Sequence, residues 1–253
     1  MTLVRLRRGV PIRDLGVVFN ISKTYASTIV YTWIRFLRIQ LKPLLGKMFV
    51  SAEAQNAQKP DLFKRWPNLR VIIDCTHFKI QKPFNFQMQS NTWSAYKASN
   101  DLKYCVGIST FTGLSFLSQG FEGSVSDKEI VLRSGLLDKL KPNESVMCDR
   151  GFDIEPELNA INVDTIMPPF LGDRESFSAA EIEEAQRIAE ARIFVEIMMK
   201  RIKDFRILRG QIPNRLLPLM DDMVLMCAVL TQFDPLIITK GKEAALSDDE
   251  DCE

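Results

Sequence analysis

The chain has 253 residues, with 33 Lys plus Arg against 32 Asp plus Glu, and its 46% hydrophobic and 26% charged residues exclude wholesale disorder. Its longest apolar run near the C-terminus, 223–230, is far short of the ~20 residues a membrane span needs, so no span is expected. Five isolated cysteines and one histidine, His77, exclude a structural zinc site and a disulfide framework and point to a reducing, intracellular compartment.

Residues 1–50 carry nine basic side chains and one acid, Asp14, whereas 240–253 carry six acids against two lysines. A cationic N-terminal unit on a neutral body points to a polyanion partner, because neutralising phosphates supplies most non-specific affinity for nucleic acid. A solvated helix surface is the alternative. Arg5, Arg7 and Arg8 are followed by no apolar stretch, so no secretory signal is expected.

In chain order, Leu15, Val18 and Phe19 have helical spacing over 13–19, and Asn20-Ile21-Ser22 is a polar break ending in a good N-cap. Ala26, Ile29, Val30, Trp33, Phe36 and Leu37 then recur every three or four residues, so 23–40 reads as one amphipathic helix. The pair gives a helix-turn-helix outline within 1–48. Ser22, Lys23, Thr24 and Ser27 begin its second helix, where side chains reach base edges in the major groove. Residues 49–68, with Pro60 and Pro67, read as a linker.

Beyond it, Val71-Ile72-Ile73 is a β-branched run, and 104–109 and 114–118 read as strands around a turn at Thr112-Gly113. Helical spacing runs over 127–140, short buried strands fit 145–148 and 165–167, and a long helix runs from an N-cap at Ser178 to about 208. Pro213 separates it from a last helix, 216–230, and the acidic 240–253 reads as a disordered tail. Strands first, then strand–helix alternation, predict a mixed α/β sheet covered by helices over 69–236.

Three carboxylates stand out. Asp74 and Asp149 each end an apolar run, and ligand sites in α/β sheets lie beyond the carboxyl ends of strands; capping a following turn is the alternative for both. Glu196 interrupts the apolar stretch 193–199, and a buried carboxylate needs a partner charge or a metal; Arg192 and Lys200, four residues either side, are the alternative partners. Three converging carboxylates suit Mg²⁺ or Mn²⁺, hard ions that prefer oxygen ligands.

The segments Val71-Ile-Ile-Asp-Cys-Thr76, Gly123-Ser-Val-Ser-Asp127, Ser134-Gly-Leu-Leu137, Ser145-Val-Met-Cys-Asp-Arg-Gly-Phe152 and Arg192-Ile-Phe-Val-Glu196, followed by Arg201-Ile-Lys203, resemble the DDE superfamily endonucleases of the Harbinger transposase type. Thr92-Trp-Ser-Ala-Tyr-Lys97 and Pro168-Pro-Phe-Leu171 fit the same pattern. The resemblance implies an RNase H-like α/β fold, a mixed five-stranded sheet flanked by helices, with a small all-α helix-turn-helix unit in front. It implies a divalent-metal DNA endonuclease or transposase acting on double-stranded DNA, with Asp74, Asp149 and Glu196 as catalytic acids and metal ligands. Asp127 matches a recurrent acid that could assist the metal or simply favour a helix start, and Lys97 and Lys103 match basic positions able to contact phosphate. Ile197 departs from the pattern, which often has a basic residue after the third acid. The resemblance also suggests a nuclear location, leaves room for a separate DNA-binding partner or a homo-oligomer, and includes domesticated relatives that serve as DNA-binding or regulatory proteins without cleavage activity, which is the alternative function.

Overall fold

The computed structural model describes residues 1–111, 113–172 and 174–235; the acidic segment 240–253 lies outside them. Three helices come first: α1 (Thr2–Arg8), α2 (Ile12–Val18) and α3 (Lys23–Met48). The α2–α3 turn is tight because Gly16 has no side chain: a Cβ there would lie 2.9 Å from the Ile21 carbonyl oxygen. That closeness lets the Ile21 N–H donate to Gly16 O at 2.9 Å. Ser22 caps α3, its hydroxyl accepting from the Tyr25 N–H at 3.1 Å. The helix runs past 40 and through Pro43 because Leu41, Leu45 and Met48 keep the core-facing stripe while Pro43 is exposed.

Segment 49–68, expected as a linker, is ordered and packed onto the body. It holds α4 (Ala52–Ala57) and a 3₁₀ turn, Asp61–Phe63, and it buries Phe63 and Trp66. The Gln55 amide donates to Leu69 O at 2.9 Å, and the Lys59 ammonium donates to Trp66 O at 3.0 Å and Pro67 O at 2.6 Å.

The body is one mixed sheet. Its strands are β1 (Leu69–Lys79), β2 (Trp93–Ser94), β3 (Ser99–Ser109), β4 (Gly113–Leu117), β5 (Phe121–Glu122), β6 (Ser145–Met147) and β7 (Asp164–Ile166). The longer strands run in the order β4-β3-β1-β6-β7, with β4, β3 and β1 antiparallel and β1, β6 and β7 parallel; short β2 and β5 also pair with β3. This is the RNase H-like arrangement expected. Helix α5 (Phe86–Thr92) sits before β2, α6 (Asp127–Arg133) and α7 (Glu155–Asn159) flank β6, and α8 (Ala179–Lys203) and α9 (Met220–Leu230) close the chain. Helix α6 stops well before 140 because Gly135 turns left-handed at φ 76, leaving only a 3₁₀ turn at Leu137–Lys139. Pro218 likewise limits 214–219 to 3₁₀ geometry before α9.

Strand alternation splits the core into two layers. Ile72, Tyr104, Val106, Ile108 and Met147 pack against α3, α8 and α9, while Val71, Ile73, Cys105, Val146 and Cys148 pack against α6 and α7. Leu6, Leu15, Val30 and Ile34 join the first layer, so the N-terminal helices share a core with the body. The helical stretch Asn214–Phe233, with mean hydropathy 1.5, is long and apolar enough to cross a membrane, a feature the sequence reading missed; 67% of that stretch is buried in the protein. It serves as a core element, with Met223, Val224, Met226, Cys227 and Ala228 almost wholly enclosed.

Candidate active site

Parallel pairing sets the site. Ile72 on β1 is registered with Met147 on β6, and both face the α8 layer. Two residues further along, the period-two rule brings Asp74 and Asp149 to that same face, just past the last β1–β6 pair; Asp149 follows the end of β6, whereas Asp74, expected to end its strand, lies midway along β1, which continues to Lys79 on its pairing with β3. Helix α8 packs across β1 and β3 and carries Glu196 near enough for its charge to act on Asp74. A capping box starts it: the Ser178 hydroxyl accepts from the Glu181 N–H at 3.3 Å, and the Glu181 carboxylate accepts from the Ser178 N–H at 2.8 Å. Ile188, Ala191, Val195, Met198 and Ile202 anchor the helix in the core.

Asp74 is half-buried, and its Oδ1 accepts the Cys75 N–H at 2.7 Å. Burial pushes its pKa up; the Cys75 hydrogen bond and Arg192 oppose that shift, and the negative charges of Glu196 and Asp127 add to it. Asp149 is exposed, caps the 3₁₀ turn Arg150–Phe152 and accepts the Arg150 N–H at 2.9 Å, so it has the turn-capping role as well. Glu196 also lies on an exposed face, which corrects the expectation that its apolar neighbours bury it: at 3.6 residues per turn they point elsewhere. It needs no partner to repay burial. Arg192, offered as that partner, pairs instead with Asp149, Nη1 to Oδ1 3.4 Å, with its side chain 15% exposed and its Nε without a hydrogen-bond partner.

The accessory positions divide. Lys103, expected to face phosphate, is buried: its ammonium donates to Val125 O at 2.8 Å and to Asp127 Oδ1 at 3.0 Å, tying β3 to the start of α6. This correction has a simple cause, since the lysine neutralises Asp127 at a helix N-terminus. Lys97 is exposed, with its ammonium 4.4 Å from the Tyr96 ring centre, and its charge is felt by His77 and Lys203. The His77 ring lies 3.3 Å from fully buried Asp101, and burial, followed by the charge of Lys103, lowers its pKa. Of the helix-turn-helix residues, Ser22 is spent on its cap, Thr24 O accepts from Thr28, and Lys23 and Ser27 line a small cavity with Arg5, Arg13 and Arg215.

As the side chains stand, no three His, Cys, Asp or Glu among the described residues gather closely enough to hold a metal ion. The donor chemistry still suits a hard divalent cation, because Asp74, Asp149 and Glu196 offer only carboxylate oxygens, and the charge of Glu196 adds to the burial that raises the pKa of Asp74. Helical spacing allows Arg192 to reach Glu196, but its partner, Asp149, is 43 positions away in the chain.

The profile of the helix-turn-helix of DDE superfamily endonucleases matches residues 1–43, and that of the DDE superfamily endonuclease matches 73–232. No curated protein matches the chain. The endonuclease match spans more than half of the sequence and includes Asp74, Asp149 and Glu196, and the chain therefore belongs to the DDE superfamily endonucleases.

Proposed function

We propose that the protein is a divalent-metal-dependent DNA endonuclease or transposase whose acids are Asp74, Asp149 and Glu196. The observation that carries this reading is the β1–β6 register, which brings two aspartates from distant parts of the chain to one face of the sheet beneath α8, where that pairing stops. Mg²⁺ or Mn²⁺ held by the three carboxylates would activate the attacking oxygen and offset charge on the leaving oxygen of a phosphodiester. The chain's own part is to hold the acids in place: the Cys75 N–H fixes Asp74, the Arg150 N–H fixes Asp149, and the buried face of α8 fixes the position of Glu196. Arg192 meanwhile supplies positive charge between the aspartates. The N-terminal helix-turn-helix supplies duplex affinity, and the site of action is the nucleus.

The test compares Asp149→Asn and Glu196→Gln with the unaltered protein on plasmid DNA in Mg²⁺ or Mn²⁺. Both substitutions should abolish cutting while leaving duplex affinity and melting temperature close to wild type; metal-dependent cutting by both purified variants would overturn the assignment. A second reading, a DNA-binding protein that no longer cuts, draws on the Arg192–Asp149 pair, in which a protein cation engages an acid that would bind metal. It predicts salt-sensitive duplex binding with no scission in either metal.

A further inference from the structure

Glu196 lines a groove of about 460 Å³ together with Lys79, Lys203, Asp204 and Arg209. Asp204 and Arg209 also line a second concave surface, of about 580 Å³, shared with Arg7, Arg8 and Arg206. The two therefore run into one another and form a continuous channel from the third acid to the C-terminal end of α1. We propose that this channel is the track for a DNA backbone leaving the catalytic end, with Lys79, Lys203, Arg209, Arg206, Arg7 and Arg8 meeting successive phosphates. The proposal rests on the endonuclease reading for the identity of Glu196 but concerns a different surface.

Three observations support it. The charge is one-sided: seven Lys and Arg side chains, Lys200 included, line the two surfaces against two acids, Glu196 and Asp204, the latter paired with Arg209 at 2.5 Å. The spacing is right, since seven residues of α8 separate Glu196 from Lys203, ~10 Å along the helix, which covers about three base pairs of duplex. The far wall is also held in place. Gly9, at φ +65, brings the end of α1 so close to the loop after α8 that a Cβ would lie 3.2 Å from both the Cβ and the carbonyl oxygen of Arg206. Arg7 stacks over the Phe205 ring at 5.1 Å, and the Arg209 Nε donates to Lys203 O at 3.2 Å. Guanidiniums held in this way lose little freedom on meeting a phosphate. Arg8 and Arg206 are exposed, with no ion pair among the described residues. The track also explains why cations cluster on α1, upstream of the reading helix.

The experiment is fluorescence anisotropy of the full chain on labelled duplexes of two unrelated sequences, in EDTA, across a KCl series. Arg8→Gln/Arg206→Gln is compared with wild type and with Lys139→Gln/Lys141→Gln, an equal charge loss placed before β6, at the opposite end of that strand from Asp149. The arginine pair should weaken binding equally on both sequences and reduce the slope of log affinity against log salt by about two. The affinity lost between 50 and 200 mM salt should then be about tenfold smaller than for wild type. The lysine pair should leave the slope unchanged. Equal slopes for the two double variants, or a wild-type protein that binds no duplex, would overturn the track. Because binding is read without metal, a protein that binds through the track but never cuts would sink the endonuclease reading alone; one that cuts with an unaltered slope would sink the track alone.

Discussion

Helix α3 buries Ala26, Val30 and Ile34 and no residue fully beyond them, whereas α8, at 25 residues one shorter than α3, buries side chains from Ile188 through Ile202. The first is seated at its N-terminal end and leaves Phe36, Ile39 and Leu44 exposed further along. The second is seated along the stretch that carries Glu196. A long amphipathic pattern thus says that a helix packs, but not where its rigidity is spent. In α3 the buried stretch sits beside the α2–α3 turn; in α8 it flanks Glu196.

The largest expected effect tests that contrast directly. Met198→Ala removes a fully buried side chain two positions from Glu196 and should cost ~2–5 kcal/mol in denaturant unfolding. Leu44→Ala, at a residue 40% exposed, should stay within ~0.5 kcal/mol. Similar costs for the two would erase the distinction between the helices. Next comes the seat of α3: Gly16→Val drives a side chain into the Ile21 carbonyl and should cost ~1–3 kcal/mol. Calorimetry should show the lower melting temperature, and duplex affinity should fall with it; unchanged affinity would detach DNA binding from the α2–α3 turn.

The smallest effect concerns the charge beneath α8. Burial raises the pKa of Asp74, so the folded chain holds that proton more tightly than the unfolded one, and stability tied to the group is lost as pH rises through the folded value. Asp74→Asn should therefore raise the melting temperature of the metal-free protein at pH 7, with the gain shrinking toward pH ~4, where an unfolded aspartate takes up its proton. A gain of the same size at both pH values would assign it to packing rather than to charge.

Much of this was legible in the sequence, for identifiable reasons. Asp74 and Asp149 each follow a short buried run, a local signal, and Ser178 with Glu181 announces the start of α8. What escaped was non-local. Lys103 finds Asp127 across 24 positions, and Arg192 finds Asp149 across 43, pairings that no periodicity reports. The arginine channel joins α1 to residues about two hundred positions later. Segment 49–68 has the prolines of a linker, but Phe63 and Trp66 bind it to the core. Gly135 and Pro218 shortened helices whose apolar spacing continued beyond them.

The parallel pairing of β1 with β6 also bears on how the protein comes into being. Strands β1, β3 and β4 follow one another closely and close as antiparallel neighbours, whereas β6 enters about seventy residues after β1. Joining distant segments is the slow kind of step in folding. A nascent chain that has completed only its local strands holds Asp74 without Asp149, so the two aspartates come together only with that long-range pairing.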